Sequence, residues 1–161
     1  MTTNRVQLAL NVANLDTAVA FYSDLFDVEP HKLRPGYANF AIDDPPLKLV
    51  LFEAPDATQD LNHLGVELTT TGEVAAVSRR FENAGMDVRT SDQELCCHAV
   101  QDKVYVQAPD VPLGQWEFYT VLDDAPAAGA DSSSGCCATT ETDDQVCCAG
   151  SADLATAVSR P

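Results

Sequence analysis

Six cysteines stand as three adjacent pairs, Cys96-Cys97, Cys136-Cys137 and Cys147-Cys148, with no isolated cysteine elsewhere. Consecutive Cα atoms lie about 3.8 Å apart, short of the roughly 4.4–6.8 Å across a relaxed disulfide, so neighbours make poor partners for each other. Two adjacent reduced thiols instead form a chelate for a soft centre: cadmium, zinc, copper(I) or trivalent arsenic. A single pair also reads as two small apolar residues side by side, but three pairs are poorly explained that way. A second set is dispersed along the chain. Gln7 and His63 hold matching places in two similar segments, and Glu117 sits in Gln115-Trp116-Glu117-Phe118-Tyr119, where Trp116 and Phe118 point the other way. One amide oxygen, one imidazole and one carboxylate make a three-donor face for a divalent ion, with positions left for substrate or dioxygen. Taken singly, each reads as an ordinary polar strand residue.

The elements that must position these groups repeat. Val6–Val12 and Asn62–Leu68 share a pattern at an offset of 56 residues, with Leu8 and Leu10, or Leu64 and Val66, on one face. Gln7 and Asn11, or His63 and Glu67, lie on the other. Each strand is followed by an amphipathic helix. The first is expected from Asp16 to Phe26 behind an Asn14 cap, with Leu15, Val19, Tyr22 and Phe26 at helical spacing. The second opens on the capping-box pattern Thr70-x-x-Glu73 and stops at Gly85. Extended segments follow near 38–42 and 47–52 in the first half, and near 86–90, 96–101, 103–108 and 116–121 in the second. The expected fold is α+β: two βαβββ modules, about 5–58 and 60–122, sharing one central metal cleft within a domain spanning 1–122.

Residues 123–161 carry seven acids, one Arg and no Phe, Trp or Tyr. Such a segment buries too little surface to offset its ordering entropy, and it reads as a flexible acidic tail. The chain of 161 residues is 45% hydrophobic, which supports a core and excludes wholesale disorder. With 25 acids against 9 bases its formal charge is −16, unfavourable for nucleic acid or an anionic membrane surface. No apolar run approaches the roughly 18 residues of a membrane span, and the opening residues show no signal peptide, so a cytoplasmic protein is expected.

The segments Arg5–Val12, Phe21–Phe26, Pro35–Phe40, Pro45–Leu51, Leu61–Glu67, Cys96-Cys97, Gln101–Val104 and Trp116-Glu117 together resemble the vicinal-oxygen-chelate (glyoxalase/bleomycin-resistance/dioxygenase) superfamily. Within it they resemble the ArsI/CadI family of carbon–arsenic lyases and cadmium-induced proteins. The resemblance covers roughly residues 5–122. It implies iron(II) held by Gln7, His63 and Glu117, trivalent arsenic held by Cys96 and Cys97, and dioxygen as co-substrate. The first ligand is more often His in the wider superfamily, so Gln7 marks this branch.

The resemblance implies an iron(II)-dependent dioxygenase that cleaves the carbon–arsenic bond of trivalent organoarsenicals such as methylarsenite. The alternative is a non-enzymatic cadmium- or arsenic-binding stress protein using its paired thiols. The expected partner is a small molecule, the protein being a monomer or homodimer. Cys136, Cys137, Cys147 and Cys148 fall outside the resemblance and read either as accessory arsenic or metal ligands or as passive. His98 reads as a partly exposed strand histidine, with substrate contact as the alternative. His31 is expected in a solvated loop, and the paired acids Asp43-Asp44, Asp123-Asp124 and Asp143-Asp144 in solvated turns. Lys103, at the start of the extended segment 103–108, reads as shaping the cleft loop, with no role assignable from sequence.

Overall fold

A computed structural model describes residues 3–107 and 114–125. The element order is β1 (Arg5–Val12), α1 (Leu15–Phe26), β2 (Lys32–Arg34), β3 (Tyr37–Asp43), β4 (Pro46–Glu53), β5 (Leu61–Glu67), α2 (Thr71–Asn83), β6 (Asp87–Cys96), β7 (Ala99–Gln107) and β8 (Gln115–Asp124). The eight strands form one sheet in the order β2-β3-β4-β1-β5-β8-β7-β6. In each half the opening strand runs parallel to the closing one, β1 with β4 and β5 with β8. The halves join where β1 and β5 meet antiparallel, and the α+β architecture is the expected one.

The register at that junction has local two-fold symmetry. Leu8 pairs with Leu64, flanked by Gln7 with Gly65 and Ala9 with His63. Residues 56 positions apart therefore exchange places about the Leu8–Leu64 pair. Strand alternation sends the apolar set to one face and the polar set to the other. Leu8, Leu10, Phe40, Ile42, Leu49 and Leu51 pack with α1. Val66, Val104, Val106, Trp116 and Phe118 pack with Val74, Val77 and Phe81 of α2. Phe40 is fully buried, and Phe40→Ala would cost about 3–5 kcal/mol. The helices start where local chemistry dictates: the Asn14 side chain accepts from the Thr17 amide, and Thr70 and Glu73 close a reciprocal capping box.

Several expectations change. The segment 96–101 is not a separate strand: β6 ends at Cys96, β7 starts at Ala99, and Cys97-His98 is the tight turn between them. Both turn residues have positive φ, 53° and 63°. That is the backbone of a two-residue hairpin loop normally built from Asn-Gly, so neither residue type announces the turn. His98 is accordingly a turn residue. Lys103 lies mid-strand in β7, in line with the extended segment expected over 103–108, so it does not belong to a cleft loop. Strand β8 runs through Asp124, so Asp123 and Asp124 belong to the sheet. The short edge strand β2 escaped the list of extended segments because three residues show no alternation. Cys136, Cys137, Cys147, Cys148 and the tail from Pro126 lie outside the described residues. No helix among the described residues is long and apolar enough to cross a membrane.

Candidate metal centre and thiol pair

The polar sheet face brings Gln7, His63 and Glu117 together. Gln7 Nε2 lies 2.7 Å from His63 Nε2 and donates to Glu117 Oε1 at 3.1 Å. His63 Nε2 and Glu117 Oε1 are 3.0 Å apart. Gln7 and Glu117 are 3% and 8% exposed.

A chain of hydrogen bonds assigns the imidazole tautomer. Asn11 Nδ2 donates to the Gln59 carbonyl, which can only accept, so Asn11 Oδ1 faces Asn62 Nδ2. Asn62 Oδ1 is thereby turned to His63 Nδ1 at 2.7 Å. His63 Nδ1 therefore carries hydrogen, and in the neutral ring Nε2 presents its lone pair to the group. Two acceptors, that lone pair and a carboxylate oxygen, then face each other and call for a proton or a metal cation between them. Gln7 Oε1 is buried without a partner. A half-turn of the amide exchanges its oxygen and nitrogen and completes a triangle of donors. The triangle's edges of 2.7–3.1 Å match the roughly 3.0 Å edge of an octahedral face with bonds of about 2.1 Å. These residues fit a divalent ion with N/O preference. Among the described residues no group of three His, Cys, Asp or Glu gathers for a metal, so the third donor must be the Gln7 amide. Sequence reasoning missed Asn62, although it directly precedes His63.

The two-fold also explains why the face has three donors. The counterpart of Glu117 in the first half is Val50, which pairs with Ala9 as Glu117 pairs with Gly65. Val50 offers no ligand atom.

Cys96 and Cys97 bring their sulfurs to 3.1 Å, well beyond a disulfide's roughly 2.05 Å. Cys96 is fully buried and Cys97 partly so. Cys97, Gln7 and Glu117 line one cavity of about 130 Å³, together with Tyr37, Asn39, Val50, Gln101 and Tyr119. That volume is well below the roughly 300–1,000 Å³ of pockets for drug-sized ligands and suits a molecule of few heavy atoms. The thiol turn is tied to the opposite end of the sheet: Lys32 on β2 donates to the His98 carbonyl at 3.1 Å and pairs with Asp124, and the His98 ring packs on Tyr37. The Asp124 carboxyl is held below its usual range by the hydrogen bond from Lys32 and by that residue's charge. His31 is exposed at the cavity rim.

Lys103, 2% exposed, lies 3.3 Å from Glu117 Oε2 and 3.5 Å from Glu94 Oε1. Burial works against its charge, but Glu117, then Cys96, Tyr105 and Cys97, outweigh it and hold the ammonium well above its ordinary range. Tyr119 is shifted upward by burial first, then by Glu67 and Glu117.

Comparison with known proteins agrees with this architecture. The chain is 51% identical over 127 residues, 79% of its length and 82% of the relative's, to the cadmium-induced protein CadI of Mycobacterium tuberculosis. It is 47% identical over 137 residues, 83% of its length and 88% of the relative's, to a trivalent organoarsenical cleaving enzyme of Thermomonospora curvata. Among solved structures, the Mn(II)-bound glyoxalase from Novosphingobium aromaticivorans superposes with a TM-score of 0.52 at 21% identity, covering 80% of this chain and 44% of that one, a likeness of fold. The pattern of the Glyoxalase/Bleomycin resistance protein/Dioxygenase superfamily matches residues 4–110, and with relatives this similar over most of its length the chain belongs to that superfamily, on the branch of the CadI proteins and the trivalent organoarsenical cleaving enzymes.

Proposed function

We propose that this protein is an iron(II)-dependent dioxygenase that cleaves the carbon–arsenic bond of trivalent organoarsenicals, with methylarsenite as the simplest substrate. The observation that supports this reading is that Cys97 lines the same cavity as Gln7 and Glu117, so a soft-atom chelate and a hard-metal face serve one small space. The relative from Thermomonospora curvata carries the matching activity in its name.

The thiols of Cys96 and Cys97 displace two hydroxyls of methylarsenite as water and hold arsenic through two sulfurs, which restricts where the methyl group can lie. Gln7, His63 and Glu117 would hold the ion, and Asn62 keeps the His63 lone pair directed at that place. Iron(II), when bound, supplies activation of dioxygen. Overall, methylarsenite and dioxygen give arsenite and formaldehyde. All atoms are conserved, the carbon gives up four electrons to dioxygen, and arsenic stays trivalent.

The cadmium-induced relatives favour a second reading, a thiol protein that sequesters soft metals without turnover. Anaerobic iron loading, followed by methylarsenite, air and arsenic speciation, separates the two. The enzyme yields arsenite in molar excess over protein. A sequestering protein stops at stoichiometric bound methylarsenite.

A further inference from the structure

The metal face does not use the most deeply buried charge in the described residues. Lys103 sits between two carboxylates on the polar side of the sheet, 3.3 Å from Glu117 Oε2 and 3.5 Å from Glu94 Oε1. Its ammonium also lies 5.7 and 5.9 Å from the ring centres of Tyr105 and Tyr119, within cation–π reach. The other oxygen of Glu117, Oε1, is the one turned to Gln7 and His63. The carboxylate is thus divided, one oxygen for the ammonium and one for the ion.

Glu94 is brought there by a device in β6. The strand carries an extra residue between Ser91 and Glu94, with Gln93 at φ 53°. Asp102 clamps this bulge by accepting from the Gln93 amide at 2.9 Å and from Thr71 Oγ1, at the start of α2, at 2.8 Å. The bulge puts Glu94 opposite Gln101, on the same face as Lys103, and Tyr105 Oη donates to Glu94 Oε1 at 2.9 Å. A bulge beside a site commonly re-aims a side chain.

We propose that Lys103, steadied by Glu94, is a positioning residue for the metal centre: it occupies Oε2 of Glu117 so that this carboxylate offers the ion a single oxygen. The inference rests on the metal-centre reading above, but not on arsenic chemistry. It assigns Glu94 a role through Lys103, without contact with the ion.

The test uses the full-length protein and Co(II) as the probe, with affinity measured by chelator competition and coordination read from the Co(II) visible spectrum. Lys103→Met removes the charge at similar volume, and Glu94→Gln, which disturbs the fold less, serves as the second variant. Loss of a group orienting a metal ligand costs about 10–100-fold in metal affinity. Lys103→Met should fall in that range with an altered spectrum, and Glu94→Gln should shift both readouts the same way by less. A merely structural role would lower Tm and leave affinity and spectrum unchanged. If wild type binds Co(II) and loses it in His63→Ala, while both variants bind with unchanged or higher affinity and an unchanged spectrum, this inference fails and the metal centre stands. If His63→Ala binds Co(II) like wild type, the metal centre itself falls, and this inference with it.

Discussion

Gly65 lies directly beneath Glu117. The two are register partners on β5 and β8, and a Cβ on Gly65 would meet both Cγ and the carbonyl oxygen of Glu117 at 2.8 Å. The bare α-carbon is what lets the Glu117 side chain lie across β5 toward Gln7 and His63. Gly65→Ala should therefore displace the carboxylate. The expected result is a stability loss of about 1–3 kcal/mol from overpacking, with Co(II) affinity reduced at least tenfold in protein that still unfolds cooperatively. Denaturant melts and calorimetric titration check the two parts separately.

Asn62 controls His63 from the second layer. Asn62→Leu removes the acceptor on Nδ1, so the ring no longer keeps its lone pair on Nε2. Metal affinity should fall by about 10–100-fold. Asn62→Asp, still able to accept from Nδ1–H, should keep most of it. Imidazole ¹⁵N shifts would report the tautomer directly.

The thiols are expected to act as a pair. Cys96→Ser and Cys97→Ser should each reduce turnover of methylarsenite at least a hundredfold, because one sulfur cannot fix the arsenic and a hydroxyl is a poor ligand for a soft centre. Iron binding should be unaffected in both. Near-normal arsenite production by either variant would take the thiols out of the mechanism.

A pH effect is expected at the start of α2, where Glu73 closes the capping box. Glu73 receives hydrogen bonds from Thr69 and Thr70, and those from Thr69 do most to lower its pKa below the ordinary 4.5. A carboxylate whose pKa is lower folded than unfolded stabilises the fold above its unfolded value, and that contribution is lost as pH falls through the folded value. The Tm difference between wild type and Glu73→Ala should be full at pH 7 and shrink progressively below about 4.5. Circular dichroism melts across that range check it.

What the sequence determined by itself is what short-range physics controls. Alternation of apolar residues in Val6–Val12 and Asn62–Leu68, the Asn14 cap and the Thr70–Glu73 box produce their elements wherever the chain places them. The 56-residue offset carries more, because two like strands that meet antiparallel pair about their shared centre, Leu8 with Leu64. That pairing already implies that Gln7 and His63 share a face. Tertiary structure decided the rest. Glu117 reaches Gln7 across 110 residues only through the β5–β8 register and the missing side chain of Gly65, neither of which local periodicity encodes. Lys103 has no role legible in the sequence until Glu94 and Glu117 are placed around it, since a buried charge is tolerated only with partners supplied from elsewhere. Cys97-His98 forms a turn against its own residue preferences because β6 and β7 pair on either side of it and Lys32 ties its carbonyl to the far edge of the sheet. Backbone conformations that local preference disfavours persist where surrounding contacts over-determine them, and those contacts exist only in the folded protein.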